Sequence, residues 1–92
     1  MDETRVNRVR FRAWRRGFRE ADLILGPFAD SHAAGMTEAE LDRFEHLLTQ
    51  ADHDLYGWIL EQAPVPSEFD HDVMADLRAF VRVKRAPAIH GG

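Results

Sequence analysis

The chain of 92 residues contains no cysteine. Disulfide bonds, thiolate metal ligands and cysteine nucleophiles are therefore excluded, which is consistent with a reducing compartment. No apolar run approaches the roughly 18 residues that a membrane span needs. The opening MDETRVNRVR lacks the apolar stretch of a secretory signal and carries the acids that transit peptides avoid. These absences predict a soluble, intracellular protein without membrane insertion.

Catalytic motifs are also absent. The chain has neither a P-loop nor a dinucleotide GxGxxG, and its two serines, Ser31 and Ser67, fall where turn or cap chemistry explains them. No pair among the five histidines has the i, i+4 spacing of metal ligands, and His46 and His53 are seven residues apart across a predicted helix break. We therefore expect no catalytic residues and no metal site, and predict that the protein is not an enzyme.

The formal net charge of −4 conceals a segregation along the chain. Residues 1–19 carry seven arginines and two acids, residues 20–76 carry fourteen acids and one base, and residues 77–92 carry four bases and no acid. Two arrangements fit this pattern. Either the basic ends lie against the acidic middle, or the molecule presents faces of opposite sign to a partner.

Helical periodicity of the apolar residues predominates over strand alternation. We predict one domain over residues 1–92, an all-α bundle of about five short helices with a flexible tail at about 86–92. The predicted helices cover about 5–16 and about 19–31, and three more begin near Thr37, near Asp52 and near Ser67 or Asp70.

Individual residues predict where some of these helices begin or end. Thr37 and Glu40 have the spacing of a capping box. Asp52 is predicted to be the N-cap of the fourth helix. Pro27 predicts a bend or an early end in the second helix. Gly17, at the join of the first two helices, indicates either a helix terminator or a point of close backbone approach.

The arginine-rich block of residues 1–19 interleaves its arginines with Phe11, Trp14 and Phe18. Such a face can contact phosphates and stack on bases, so a nucleic-acid partner is one interpretation. A solvated face that neutralises the acidic middle is another. Because the chain is acidic overall and its middle block would repel a long polyanion, we expect no nucleic acid and favour a protein partner.

Two motifs in a short all-α chain resemble one family. RGxxE is followed by PF, and a D-x-D-L-aromatic-x-W stretch comes about thirty residues later. This order is similar to that of the small assembly factors for the flavoprotein subunit of succinate dehydrogenase and fumarate reductase. The resemblance covers about Val6 to Phe80, and the short acidic N-terminus resembles the bacterial members. The motif residues are Arg16, Gly17 and Glu20, then Asp52, Asp54, Leu55, Tyr56 and Trp58.

The resemblance implies a dedicated chaperone that promotes covalent attachment of FAD to that flavoprotein subunit. The protein would have no cofactor of its own, would be a monomer when free, and would act in the bacterial cytoplasm. The implied partner-binding residues are Arg15, Arg16, Gly17, Arg19 and Glu20, and the implied supporting residues are Asp52, Asp54, Tyr56 and Trp58.

The spacing of the first motif gives a further expectation. If the chain stays helical through Gly17, Arg16 and Glu20 share one exposed face with it. The simpler alternatives are that Gly17 is only a helix C-cap and Glu20 only a helix-start acid.

Two other functions stay open at this point. One is a regulatory or nucleic-acid-binding module, antitoxin-like, that uses the arginine-rich first helix. The other is direct carriage of flavin, against which the lack of a phosphate-cradling loop argues.

Overall fold

The computed structural model of the chain describes residues 3–85. These residues form five α-helices and two 3₁₀ turns, with no strand in this range, so the prediction of an all-α bundle is confirmed. The predicted flexible tail at 86–92 lies outside the described residues. The helices are α1 Glu3–Trp14, α2 Arg19–His32, α3 Glu38–Leu47, α4 Asp52–Ile59 and α5 Asp72–Arg85, and the 3₁₀ turns are Ala33–Gly35 and Ser67–Phe69.

The start of α3 agrees with the sequence prediction. Thr37 Oγ1 accepts the Glu40 N–H at 3.1 Å, and Glu40 Oε1 accepts the Thr37 N–H at 2.8 Å. The predicted capping box is therefore confirmed. The N-cap of α4 was predicted wrongly: it is Ala51, and Asp52 is the first helical residue. The carboxylate of Asp52 instead accepts a hydrogen bond from Arg16, which lies far away in the sequence.

The second helix does not end early at Pro27, so that part of the prediction is wrong. α2 continues to His32. A proline inside a helix removes one backbone hydrogen bond and costs about 3 kcal/mol. Leu25 and Phe28 are both fully buried on the inner face of this helix. Burial of side chains of this size contributes about 1.5–3 kcal/mol each, which offsets the loss.

The hydrophobic core draws on all five helices. Phe28 lies at its centre, with its ring edge-on to Phe44 of α3 at 5.4 Å and to Phe80 of α5 at 5.6 Å. Leu55 of α4 and Val9 of α1 are fully buried in the same cluster. None of the helices within residues 3–85 has both the length and the hydropathy to cross a bilayer.

The end of α1 is held against the middle of α2 by Trp14. Its indole lies over Gly26, where a Cβ would come within 2.2 Å of the ring, so only glycine leaves room for it. The indole N–H donates to Asp30 at 3.1 Å, and Arg10 donates to the same carboxylate at 2.9 Å. These contacts hold the C-terminal end of α1 against α2.

Much of the charge that is segregated along the sequence is neutralised by ion pairs between the helices and turns of the same molecule. Arg5 of α1 pairs with Asp42 and Glu45 of α3, the latter at 3.0 Å, and its hydrogen bond to Glu45 raises the pKa of the guanidinium. At the other end of the chain, Arg82 pairs with Glu61 at 2.8 Å. For these residues, the arrangement in which the basic ends lie against the acidic middle is correct.

A histidine caps α5 in its neutral form. His71 Nδ1 accepts the Met74 N–H at 3.2 Å, and burial lowers the pKa of His71, with Arg43 acting in the same direction and Asp72 against it. A group whose pKa is lowered by folding stabilises the fold above its ordinary pKa of 6.5. That contribution is lost as the pH falls below this value. Protonation also removes the acceptor of the capping hydrogen bond.

We therefore expect the wild-type melting temperature to fall more between about pH 7.5 and about pH 5.5 than that of His71→Asn, which keeps an acceptor but does not titrate. A lost cap costs about 1 kcal/mol, or about 4–8 °C in a domain of this size. Thermal melts of both proteins across this pH range measure the difference. Equal pH dependence in wild type and His71→Asn would contradict the capping role.

Candidate functional site

The break between α1 and α2 contains the first motif. Gly17 has a φ of 90°, in the left-handed region that favours glycine, and residues 15–18 are not helical. Gly17 therefore lies in the break that follows α1, as the terminator interpretation expects, although α1 itself ends at Trp14. The expectation that Arg16 and Glu20 share a face of one continuous helix is wrong, because the backbone turns at Gly17. A Cβ at Gly17 would meet nothing within 4 Å, so the glycine also leaves open space beside the turn.

The side chain of Arg16 points into the molecule and is only 8% exposed. Its Nε donates to Asp52 Oδ1 at 2.8 Å, and its terminal nitrogens donate to the backbone carbonyls of Leu48 and Gln50. Carbonyls at a helix C-terminus lack partners within the helix, and the planar fork of a guanidinium can serve several of them together. The expectation of an exposed Arg16 is thus wrong, because these acceptors at the α3–α4 turn hold its guanidinium.

The same break is also held from the side of α2. The backbone N–H of Arg16 donates to Asp22 Oδ1 at 3.0 Å. Asp22 was not among the residues predicted from the sequence, where it reads as one more acid in the first turn of a helix. With Arg16 bound at its backbone and at its side chain, the position of Gly17 is determined by contacts on both sides.

The second motif lies beneath and beside the first. Asp52 binds Arg16, and Tyr56 packs edge-on against Phe18 with ring centroids 5.3 Å apart. Trp58 is 9% exposed and stacks on Phe69 at 5.2 Å, in the core. Both aromatic side chains therefore pack against other rings of the molecule. The remaining supporting residue of the prediction, Asp54, is exposed. A contribution of any of these residues to partner binding stays a prediction.

Four residues of the first motif region are exposed: Arg15, Gly17, Arg19 and Glu20. We call them the motif surface. Within residues 3–85, neither Arg15 nor Arg19 forms an ion pair, whereas six other arginines do. The Arg15 guanidinium lies 4.5 Å from the centre of the Phe11 ring. The motif surface therefore combines an open glycine, two unneutralised cations and one carboxylate, which suits contact with charged groups of another molecule.

The motif surface presents charged side chains at a turn whose position is set by hydrogen bonds. Among the described residues, no group of three histidine, aspartate or glutamate side chains could hold a metal ion. Among the described residues, no histidine, serine or second carboxylate forms a hydrogen bond or an ion pair with Glu20. What the geometry offers is a turn held by hydrogen bonds, with exposed charges beside it, which suits recognition of a charged partner.

Comparison with known proteins gives consistent results. A family described as "Flavinator of succinate dehydrogenase" matches residues 7–81. "Succinate dehydrogenase assembly factor 2, mitochondrial" of Dictyostelium discoideum is 44% identical over 59 residues, which cover 64% of this chain and 42% of that protein. Its counterpart in Mycosarcoma maydis is 35% identical over 69 residues, covering 75% of this chain and 29% of that protein.

A bacterial protein is among the relatives. "FAD assembly factor SdhE" of Acetobacter pasteurianus is 38% identical over 64 residues, which cover 70% of this chain and 59% of that protein. This chain thus spans less than two thirds of the length of each of these three relatives. Two of the three names specify mitochondria and one protein is bacterial, so the expectation of a bacterial cytoplasmic location stays a prediction.

Proposed function

We propose that this chain, which belongs to the family described as flavinator of succinate dehydrogenase, is an assembly factor for a flavoprotein. It would promote covalent attachment of FAD to the flavoprotein subunit of succinate dehydrogenase or fumarate reductase. The observation that supports this most directly is the motif surface, an exposed turn at Gly17 that Arg16 and Asp22 hold in place. The turn lies within the segment that matches the family.

The proposed role needs no catalytic residue in this chain. A helper protein raises a reaction rate by stabilising the conformer of its partner in which the reacting groups are aligned. The partner would contribute the FAD and the histidine that receives it, and this chain would be released unchanged. The protein is then not an enzyme and has no cofactor of its own, and we place it in the bacterial cytoplasm.

Different residues of the motif have different roles in this proposal. Gly17 lets the partner backbone approach the turn, since no side chain occupies the space beside it. Glu20, Arg15 and Arg19 pair with charged groups of the partner. Arg16 is a positioning residue, because its guanidinium is bound to the α3–α4 turn and is not presented to solvent.

Glu20→Ala is expected to weaken binding to the apo-flavoprotein by about 10- to 100-fold, because one charge-assisted hydrogen bond contributes about 1.5–3 kcal/mol. Its melting temperature should stay near that of wild type, since Glu20 is exposed. Calorimetric titration of the apo-flavoprotein measures the affinity. Glu38→Ala is a matched control, an exposed acid in the first turn of α3. Wild-type affinity in Glu20→Ala, or an equal loss in Glu38→Ala, would contradict this role.

The proposed function is tested by mixing the protein with the apo-flavoprotein subunit and FAD. We expect faster covalent attachment, read as flavin fluorescence of the flavoprotein band on a denaturing gel, and recovery of the protein without bound flavin. A tight stoichiometric flavin complex of the isolated protein would instead support flavin carriage. A salt-dependent gel shift with nucleic acid, without any effect on flavin attachment, would support the nucleic-acid-binding alternative.

A further inference from the structure

Three of the arginines that form no ion pair among the described residues lie close together in the sequence. Within the described part of the chain, Arg12, Arg15 and Arg19 form no ion pair. Arg78 also forms none there, but it donates two hydrogen bonds to the backbone carbonyl of Trp58. The arginines with a carboxylate partner are Arg5, Arg8, Arg10, Arg16, Arg43 and Arg82. An acidic protein thus keeps a local excess of positive charge around the α1–α2 break.

Two of these arginines line a cleft. Phe11, Arg12 and Arg15 face the α3–α4 turn at residues 48–52 across a space of about 400 Å³, and Arg16 also lines it. We call this space the arginine cleft. Its lining carries three arginines and a single acid, Asp52, which is already paired with Arg16 at 2.8 Å. The charges of Arg12 and Arg15 are therefore not compensated within the cleft.

The cleft also has an apolar wall. The side chain of Phe11 is 60% exposed, although an aromatic ring on a surface helix of a small protein normally packs inward. The Arg15 guanidinium over this ring holds it in place without covering it from solvent. The cleft thus offers two cations beside one aromatic face.

We propose that the arginine cleft receives an acidic segment of the client flavoprotein, and this inference rests on the proposed function. Aspartate or glutamate side chains of that segment pair with Arg12 and Arg15, since the guanidinium fork matches a carboxylate. An apolar side chain of the same segment packs on Phe11. The cleft lies beside the motif surface, so the acidic segment determines the orientation in which the turn at Gly17 reaches its partner.

The charge distribution favours a protein segment over a nucleic acid. A polynucleotide carries charge along its whole length, and residues 20–76 hold fourteen acids that would repel it beyond the cleft. A protein segment can carry its carboxylates on a few neighbouring residues. Its negative charge then does not extend beyond the cleft. A small free anion would use the arginines but would leave Phe11 exposed to water.

Arg15→Glu and Lys84→Glu form a matched pair for the test. Both residues are exposed, both substitutions change the charge by two units, and each removes a cation from an aromatic ring, Phe11 at 4.5 Å and Phe80 at 5.6 Å. We expect Arg15→Glu to weaken binding of the apo-flavoprotein by about 10- to 100-fold at low salt and Lys84→Glu by less than about 3-fold. The affinity of Arg15→Glu should also depend less on salt concentration than that of wild type, whereas the affinity of Lys84→Glu should show the wild-type salt dependence.

The chemistry of the bound segment is tested separately with a photoreactive benzophenone amino acid in place of Phe11. After irradiation with the apo-flavoprotein, mass spectrometry identifies the peptide joined to position 11. We expect a flavoprotein peptide with several acids and a net negative charge. A neutral or basic peptide would overturn the proposal. Binding of a single-stranded oligonucleotide that Arg15→Glu abolishes and Lys84→Glu retains would overturn it in favour of nucleic acid.

Failure of this inference and failure of the proposed function give different results. If the wild-type protein speeds flavin attachment and Arg15→Glu binds the apo-flavoprotein as wild type does, the arginine cleft proposal and the partner contact assigned to Arg15 fail, and the assembly-factor function stands. If the wild-type protein has no effect on flavin attachment, both proposals fail. Melting curves of Arg15→Glu and of the milder Arg15→Gln, which removes the charge without reversing it, show whether a loss of affinity comes from unfolding.

Discussion

Gly17→Arg is expected to slow covalent flavin attachment by at least about 100-fold, while Gly17→Ala keeps most of the wild-type rate. Both variants place an L side chain at a φ of 90°, so both bear the same backbone strain of about 1–2 kcal/mol. They differ in what extends into the open space beside the turn. An arginine fills the space through which the partner would approach, and a methyl group does not.

The comparison uses melting temperature and flavin attachment for the same two variants. Both should melt below wild type by a similar amount, because the strain is shared and a Cβ meets no neighbouring atom. If Gly17→Ala loses flavin attachment as completely as Gly17→Arg, backbone conformation is the cause and the glycine serves the fold. If Gly17→Arg attaches flavin at the wild-type rate, the motif surface is not where the partner binds.

Arg16→Ala is expected to destabilise the fold by about 2–4 kcal/mol. Removing one partner of a buried ion pair costs about 3–5 kcal/mol, and Asp52 remains 30% exposed, so water relieves part of that penalty. The carbonyls of Leu48 and Gln50 would also lose their donor. Arg16→Lys should lie between wild type and Arg16→Ala, because an ammonium cannot serve these acceptors in the geometry of the guanidinium fork. Urea denaturation measures the free energy of unfolding of wild type, Arg16→Lys and Arg16→Ala.

The control for this prediction is Arg19→Ala. Arg19 is exposed and forms no ion pair among the described residues, so its removal should change the free energy of unfolding by less than about 0.5 kcal/mol. The two substitutions should therefore have different effects. Arg16→Ala should lower the rate of flavin attachment and the free energy of unfolding together. Arg19→Ala should weaken partner binding without unfolding the protein. An Arg16→Ala variant that melts like wild type but fails in flavin attachment would show that Arg16 contacts the partner directly.

Features that depend on neighbours along the chain can be predicted from the residues alone. The capping box of Thr37 and Glu40 joins residues three apart, and the buried residues of α3, Leu41, Phe44 and Leu47, recur at helical spacing. Local signals suffice here because a helix repeats within four residues. The pair of motifs likewise indicated the family, since the types and order of the residues carry the resemblance.

The direction in which individual side chains point depends on how the helices pack together. The guanidinium of Arg16 binds acceptors at positions 48, 50 and 52, between 32 and 36 residues away, and the ring of Trp14 lies over Gly26. The sequence predicted a continuous exposed face at the first motif, but distant acceptors turned Arg16 inward and left Arg15 outside. Helical periodicity carries no information about contacts this far apart. Which arginines are neutralised, and which remain for a partner, follows only from how α1 packs against the rest of the bundle.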